Sequence, residues 1–429
     1  GDEIWVASGV YKPTDSNDRT ISFELRNNVS LYGGFAGTET ERGQRNWSRN
    51  QTILSGDIGD PGVATDNSYH VLTAIGLIQD MISTETVFDG FIVEGGYATS
   101  FTNNDYMGGG ISLSHASPLI RNVWFRDNYA IGNGGAVSFL NSSSSVFANV
   151  IFTNNRSEDD GGAVSVHSGV SFINCLWYAN YSGSWGGAIR GHNSGSTIVN
   201  SILWGNQAAI SSNNISNVST TYSLVEESYS GTGNKFDSPL LLDPDNGDFR
   251  LRKSSPALNS GNVNALPDWL LTDFAGSVRV DENNVNMGPW QGFVVAPVIV
   301  APRDKHFFNS DISEVELTWG WEDEEAEGHQ YFYVEYMIND DPVELTSPLV
   351  EASFELSSLN PTDGIRWRVA SVDAEGVLTW TAWSGFRIKR ETPIYVTVDG
   401  TGDGFSWATA TNLQSALANA IDGDEIWVA

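Results

Sequence analysis

The seven residues Gly1-Asp2-Glu3-Ile4-Trp5-Val6-Ala7 recur letter for letter as Gly423-Asp424-Glu425-Ile426-Trp427-Val428-Ala429. A heptapeptide match 422 residues apart makes the chain read as one period of a tandem array. Each copy is a short apolar run opened by Gly-Asp, the pattern of a buried strand. Arrays of large, similar modules span distance and multiply weak contacts, because avidity grows with the number of linked sites.

Inside the period a shorter repeat governs the first half. Asn122-Val-Trp-Phe-Arg-Asp-Asn128, Asn149-Val-Ile-Phe-Thr-Asn-Asn155, Asn174-Cys-Leu-Trp-Tyr-Ala-Asn180 and Asn200-Ser-Ile-Leu-Trp-Gly-Asn206 align without gaps at spacings of 27, 25 and 26 residues. A second motif keeps step: Gly109-Gly110-Ile111, Gly134-Gly135-Ala136, Gly161-Gly162-Ala163 and Gly186-Gly187-Ala188. Two motifs in phase require a solenoid whose coils stack at about 4.8 Å. Phe125, Phe152, Trp177 and Leu203 share one position and are expected to stack as an inward apolar column. Asn128, Asn155, Asn180 and Asn206 share another, where Asn is expected to take a left-handed corner and bond to the Asn above and below. Val87–Gly96 reads as an earlier coil with Gly at its corner.

These motifs resemble a known family. Gly-Gly-Ala-(Ile/Val) paired with Phe-x-x-Asn is similar to the repeats of the chlamydial polymorphic outer membrane proteins. The flanks look like secreted β-helix proteins of the Bacteroidota: Trp5–Pro13, Leu31-Tyr-Gly-Gly-Phe35, Arg45-Asn-Trp47 and Thr52–Asp60, with closing coils at Asp243–Leu251, Ser255–Gly261 and Val285–Pro289. The resemblance covers residues 1 to about 295 and again 393 to 429. It implies an all-β chain opening with a right-handed parallel β-helix and a secreted or cell-surface location. Export by a Bacteroidota-type secretion system and a role in gliding or biofilm are further implications.

A proline-punctuated segment, Val294–Pro302, marks a change of module. Val315–Trp319, Tyr331–Tyr336, Ile365–Val369 and Trp380–Phe386 alternate like the strands of a β-sandwich. They resemble a fibronectin type III or immunoglobulin-like domain, with Leu317, Trp319, Tyr333, Val334, Trp367 and Val369 on its strands. Arg366 and Arg368 are expected to flank tryptophans in a stacked ladder. From residue 393 a further β-helix is expected to begin, with a strand at Tyr395–Val398. Leu413, Leu417 and Ile421 fall at helical spacing on a short amphipathic helix that would plug an open solenoid end. The expected domains are therefore 1–295, 296–392 and 393–429. The first coil would take its own cap from the preceding period.

Composition narrows the partners. The net charge is −31, with 22 basic residues against 53 acidic ones. Such a field repels nucleic acid and anionic membranes, and suits water containing salt or calcium. No apolar stretch approaches the roughly 18 residues of a membrane span, so this segment is not expected to enter a bilayer. The single cysteine, Cys175, excludes internal disulfides and reads as a buried thiol.

Several groups could carry chemistry. His167 and His192 are equivalent on adjacent coils and could hold a transition metal, or form a plain loop pair. Glu158, Asp159 and Asp160 are consecutive before a Gly-Gly corner, as carboxylates of polysaccharide-active β-helices cluster, although a solvated loop is the simpler account. Asp243, Asp245 and Asp248, and Asp57, Asp60 and Asp66, form oxygen-rich loops that could bind calcium or merely close Asx turns. The run Glu322–Glu325 with Glu327 reads as an exposed acidic loop. Sequons such as Asn46-Trp-Ser48 and Asn141-Ser-Ser143 follow from composition alone. The function expected is non-catalytic: a structural and adhesive repeat of a giant fibre, contacting adjacent repeats, surface glycans or other cells. Two alternatives stand beside it, a polysaccharide-active or carbohydrate-binding β-helix protein, and a filament subunit assembling end to end through residues 393–429.

Overall fold

The computed structural model describes all residues except 142–143, 168, 193–194, 211–212, 295–296, 322–330, 340, 373–377, 390–392, 404–405 and 421–424. The acidic loop at 322–327, Ile421, part of the Asn141 sequon and the expected domain boundaries at 295 and 392 therefore lie outside the described residues. Two compact units are present, residues 1–240 with 253–293, and residues 241–252 with 294–429.

The first unit is a parallel β-helix. Each coil contributes one short strand to each of several parallel sheets, and among the described residues the connections between these strands hold no α-helix, only the 3-10 turns Arg42–Gln44 and Ala64–Asp66. One sheet of eight strands runs from Asp2–Ala7 to Ser219–Thr221, and a second of eight from Gly9–Tyr11 to Leu224–Val225. A seven-stranded sheet runs from Phe23–Glu24 to Ile215–Ser216. The Gly-Gly corner is followed at once by the third sheet, as at Val164–Val166 and Ile189–Gly191.

Register turns the sequence period into apolar columns. Leu54, Val93, Phe125, Phe152, Trp177, Leu203 and Val225 are successive partners across the second sheet. Leu31, Phe88, Ile120, Phe147, Phe172 and Ile198 form the column of the first sheet. Leu72, Ile111, Val137, Val164, Ile189 and Ile215 form that of the third. The three meet in one continuous core. Phe125 stacks on Phe152 at 5.4 Å, and Phe152 on Trp177 at 5.1 Å, so aromatic offset stacking adds to area burial.

Three expectations about this unit are corrected. The glycine motif aligns one residue earlier in its first coil: Ile111 pairs with Val137, so Gly108, not Gly109, is the counterpart of Gly134. Gly108, Gly134, Gly161 and Gly186 all have positive φ, whereas the following glycine serves close approach. A Cβ on Gly162 would lie 2.1 Å from the Gly187 carbonyl oxygen. Secondly, the left-handed corners fall at Asp127, Asn154, Ala179 and Gly205, with φ of 53°, 54°, 54° and 67°, directly before the ladder asparagines. Thirdly, the segments expected as closing coils add no parallel strand, and residues 241–252 belong to the second unit. Leu241–Asp243 and Asp248–Arg252 form an antiparallel hairpin, and residues 257–291 run along the side of the coils.

In the second unit, a three-stranded sheet containing Glu314–Trp321 and a six-stranded sheet containing Tyr331–Ile338 and Gly364–Val372 enclose one core around Leu317, Trp319, Val334, Trp367 and Val369. Arg368 lies over Trp380 at 4.6 Å and Trp383 at 4.8 Å. Further on, Ile394–Val396 pairs in parallel with Ile426–Val428, and the helix Leu413–Asn419 packs on this pair. Asn412 caps the helix by accepting the Ser415 N–H at 2.9 Å. Its buried face is made by Ala416 with Ala420, whereas Leu413 and Leu417 are exposed. The small alanine side chains let the helix sit close over Ile394 and Val396. Among the described residues, no helix is long and apolar enough to cross a membrane.

Candidate functional site

The ladder asparagines are fully buried, so each amide must find its partners inside the protein. Asn128 Nδ2 donates to Asn155 Oδ1 at 3.1 Å, Asn155 Nδ2 to Asn180 Oδ1 at 3.0 Å, and Asn180 Nδ2 to Asn206 Oδ1 at 2.8 Å. Each oxygen accepts a second bond from the backbone N–H of the same upstream asparagine, at 3.2, 3.0 and 3.0 Å. The remaining Nδ2 hydrogen returns to a carbonyl of the preceding coil, as in Asn155 to Phe125 and Asn180 to Phe152. The left-handed turn falls on the residue before each of these asparagines.

The first asparagines of the same motifs, Asn122, Asn149, Asn174 and Asn200, have φ near 50° and form a separate row. Asn122 donates to buried Asp89, whose carboxylate is also held by Arg45 at 2.6 Å and Arg121 at 2.7 Å. Asn149 and Asn174 donate to carbonyls of Thr272, Asn286 and Gly288. Arg279, fully buried, binds Asn149 Oδ1 and the carbonyls of Gly288 and Pro289. Burial pulls its guanidinium down to about 10, with Asp273 opposing. This fastening of residues 257–291 to the coils was not anticipated. The only cue in the sequence is that each motif begins, as well as ends, with Asn.

A polar face lies over the third sheet. His167 and His192 stack with ring centroids 4.4 Å apart and planes within 7°. Asp160 Oδ2 faces both His192 Nε2 and Arg190 Nε at 3.7 Å, while its Oδ1 accepts the Trp185 N–H at 3.2 Å. Arg190 lies 5.4 Å from the exposed Trp185 ring. Burial lowers both imidazoles below their ordinary value, and for His192 the neighbouring His167 adds to the effect while Asp160 opposes it. Asp159 is raised by burial and by the adjacent Asp160. Glu158 is held down by the Arg156 guanidinium, which it meets at 2.8 and 3.2 Å. The face thus offers a carboxylate, a guanidinium, two neutral imidazoles and an indole, a set able to hydrogen-bond and stack against a polyhydroxylated ligand.

The aspartates read as calcium candidates lie in loops that make their own contacts. Asp57 accepts the Gly62 N–H at 3.0 Å and faces Lys12 at 3.6 Å, and the Asp60 N–H donates to Asp66 at 2.9 Å. Asp243 accepts Asn246 Nδ2 at 2.9 Å, Asp248 pairs with Arg250 at 2.8 Å, and Asp245 begins the turn between them. Asp248 Oδ1 also accepts the Arg250 backbone N–H at 3.2 Å, an Asx-type turn. Among the described residues, no three or more His, Cys, Asp or Glu side chains are grouped to hold a metal ion, the His167–His192 pair included. Cys175 is fully buried, and its thiol is pushed up to about 12 by burial. No protein-family model matches the chain, and no curated protein matches it.

Proposed function

We propose that the chain is a structural and adhesive repeat of a long secreted or surface-anchored bacterial fibre. Each period adds a rod of stacked coils and one antiparallel sandwich of fibronectin type III character as a spacer. The observation that carries this reading is the heptapeptide recurring 422 residues later and forming a strand in both places. The asparagine ladder and apolar columns support a stiff element, since the four coils from Asn128 to Asn206 are bonded one to the next. The charge of −31 favours a solvated outer surface facing glycans or other cells over nucleic acid.

Bead retention under flow tests this. Beads carrying a three-period polypeptide should hold to glycan- or cell-coated surfaces on the order of 100-fold better than beads carrying one period. Retention no better than that of albumin-coated beads would refute adhesion.

A carbohydrate-binding or carbohydrate-cleaving protein on the same scaffold is the second reading. It is favoured by Asp160, Arg190, His192 and exposed Trp185 converging from adjacent coils. Affinity electrophoresis in polysaccharide gels separates the two: Trp185→Ala should abolish retardation on this reading and leave mobility unchanged on the first.

A further inference from the structure

The recurrent heptapeptide forms the same local structure twice. In both copies the indole N–H donates to the glutamate two residues earlier, Trp5 to Glu3 at 3.0 Å and Trp427 to Glu425 at 3.3 Å. At its second occurrence the strand has a defined partner. Ile394 pairs with Ile426, Tyr395 with Trp427 and Val396 with Val428, all in parallel.

The first occurrence has an edge to match. Strand Asp2–Ala7 is terminal in its eight-stranded sheet, with Val29–Phe35 on one side. It bonds to that neighbour's chain through the Asp2 N–H, which donates to the Asn28 carbonyl at 3.1 Å. The bonds at the second occurrence use Glu425, whose carbonyl accepts the Ile394 N–H at 2.8 Å, and Ala429, whose N–H donates to Val396 at 3.0 Å. These are the counterparts of Glu3 and Ala7, one residue out of phase with Asp2. Successive residues of a strand aim their backbone groups at opposite edges, so the two pairings occupy different sides of one strand.

The side chains agree. Ile4 is 49% exposed at the head of the column that continues through Leu31 and Phe88, and Val10 and Tyr11 are exposed beside it. Ile394 is buried beneath Ala416 of the short helix, on the face that meets Ile426. Substituting Ile4 for Ile426 would continue the column as Ile394, Ile4, Leu31, Phe88.

We propose that residues 393–420 of one copy of this chain cap the first coil of a second copy. Strand Ile394–Val396 adds to the free edge of Asp2–Ala7, setting Ile394 beside Ile4, Tyr395 beside Trp5 and Val396 beside Val6. Ile426–Val428 stands in the place that the second copy's strand takes. This interface deepens the repeat reading, which supplies the second copy, yet its register is measurable whether or not the assembly adheres to anything.

Disulfide trapping on the full chain tests it. One variant carries Trp5→Cys; the other carries Tyr395→Cys with Ile426→Asp, which frees the edge of Ile394–Val396. Cys175 is fully buried and does not compete. Mixing under mild oxidation should give a disulfide heterodimer at least tenfold above a Thr397→Cys control, which lies two residues out of register. Equal yields would overturn the register, and no heterodimer between variants of unchanged circular dichroism would overturn capping between separate chains. To guard against unfolding by Ile426→Asp, a two-period polypeptide, residues 1–422 followed by 1–429, carries Tyr395→Cys in its first period and Trp5→Cys in its second. Peptide mapping should then find that disulfide within one chain. Its presence there without the heterodimer assigns the cap to a covalently continuous array, and its absence in both overturns the proposal.

Discussion

Asn155 donates to Asn180 Oδ1 twice, from its side-chain nitrogen at 3.0 Å and from its backbone N–H at 3.0 Å. One amide oxygen thereby satisfies two buried donors of the coil above. The geometry repeats from Asn128 to Asn206, which makes this column a hydrogen-bonded spine parallel to the aromatic one. Both spines run along the coil stack, so each substitution in them is felt on two neighbouring coils.

Asn155→Ala should therefore cost more than one hydrogen bond. It leaves the Asn128 N–H, the Asn128 side-chain donor and the Phe125 carbonyl without their partner, at about 1–3 kcal/mol for each buried group left unpaired. Urea unfolding is expected to show a loss of several kcal/mol, whereas an exposed control such as Asn17→Ala should be near neutral.

Ala179 and Gly205 occupy the same left-handed corner on successive coils, at φ of 54° and 67°. Ala179→Gly should stabilise and Gly205→Ala should destabilise, each by about 1 kcal/mol, because only the residue with a Cβ resists this conformation. A Cβ at Gly205 meets nothing nearer than Tyr178 at 3.5 Å, so the effect is conformational and not a clash. Midpoint shifts of the same sign would contradict the assignment.

Arg279→Ala removes a buried guanidinium and strands Asn149 Oδ1 with two carbonyls. Breaking such a buried contact is expected to cost about 3–5 kcal/mol. Residues 257–291 should become accessible to proteases while the coils up to residue 225 stay protected, a difference that limited proteolysis with mass mapping reads directly.

The stacked histidines predict an acid-side loss of stability. Both are held below the ordinary imidazole value by burial, so the unfolded chain binds more protons than the folded one as pH falls through about 6.5 toward the lowered folded value. Stability should fall across that window, and His167→Gln with His192→Gln should flatten the profile. Asp159, raised by burial, works in the opposite direction at lower pH, near the carboxylate range.

What could be read from the sequence was what repeats in phase. Phe125, Phe152, Trp177 and Leu203 sit at equal offsets, and register keeps them in one column because strands of adjacent coils can pair in only one way without exposing it. The stack of His167 on His192 follows from the same arithmetic. The corner conformation was misplaced because two neighbouring positions both tolerate positive φ; Gly205, standing before Asn206, was the residue that marked the true corner. Gly108 was passed over because three glycines in a row leave the alignment to the pairing of Ile111 with Val137. Arg279 was illegible, since its partners come from Asn149 and from Pro289, and no period links them.

The tandem array is tested most directly by the mass of the native polypeptide from its source, measured on a denaturing gel together with sedimentation of the undenatured material. The account predicts either a polypeptide of several times 46.6 kDa or single periods that sediment as end-to-end assemblies. A 46.6 kDa polypeptide that remains monomeric at all concentrations would contradict it.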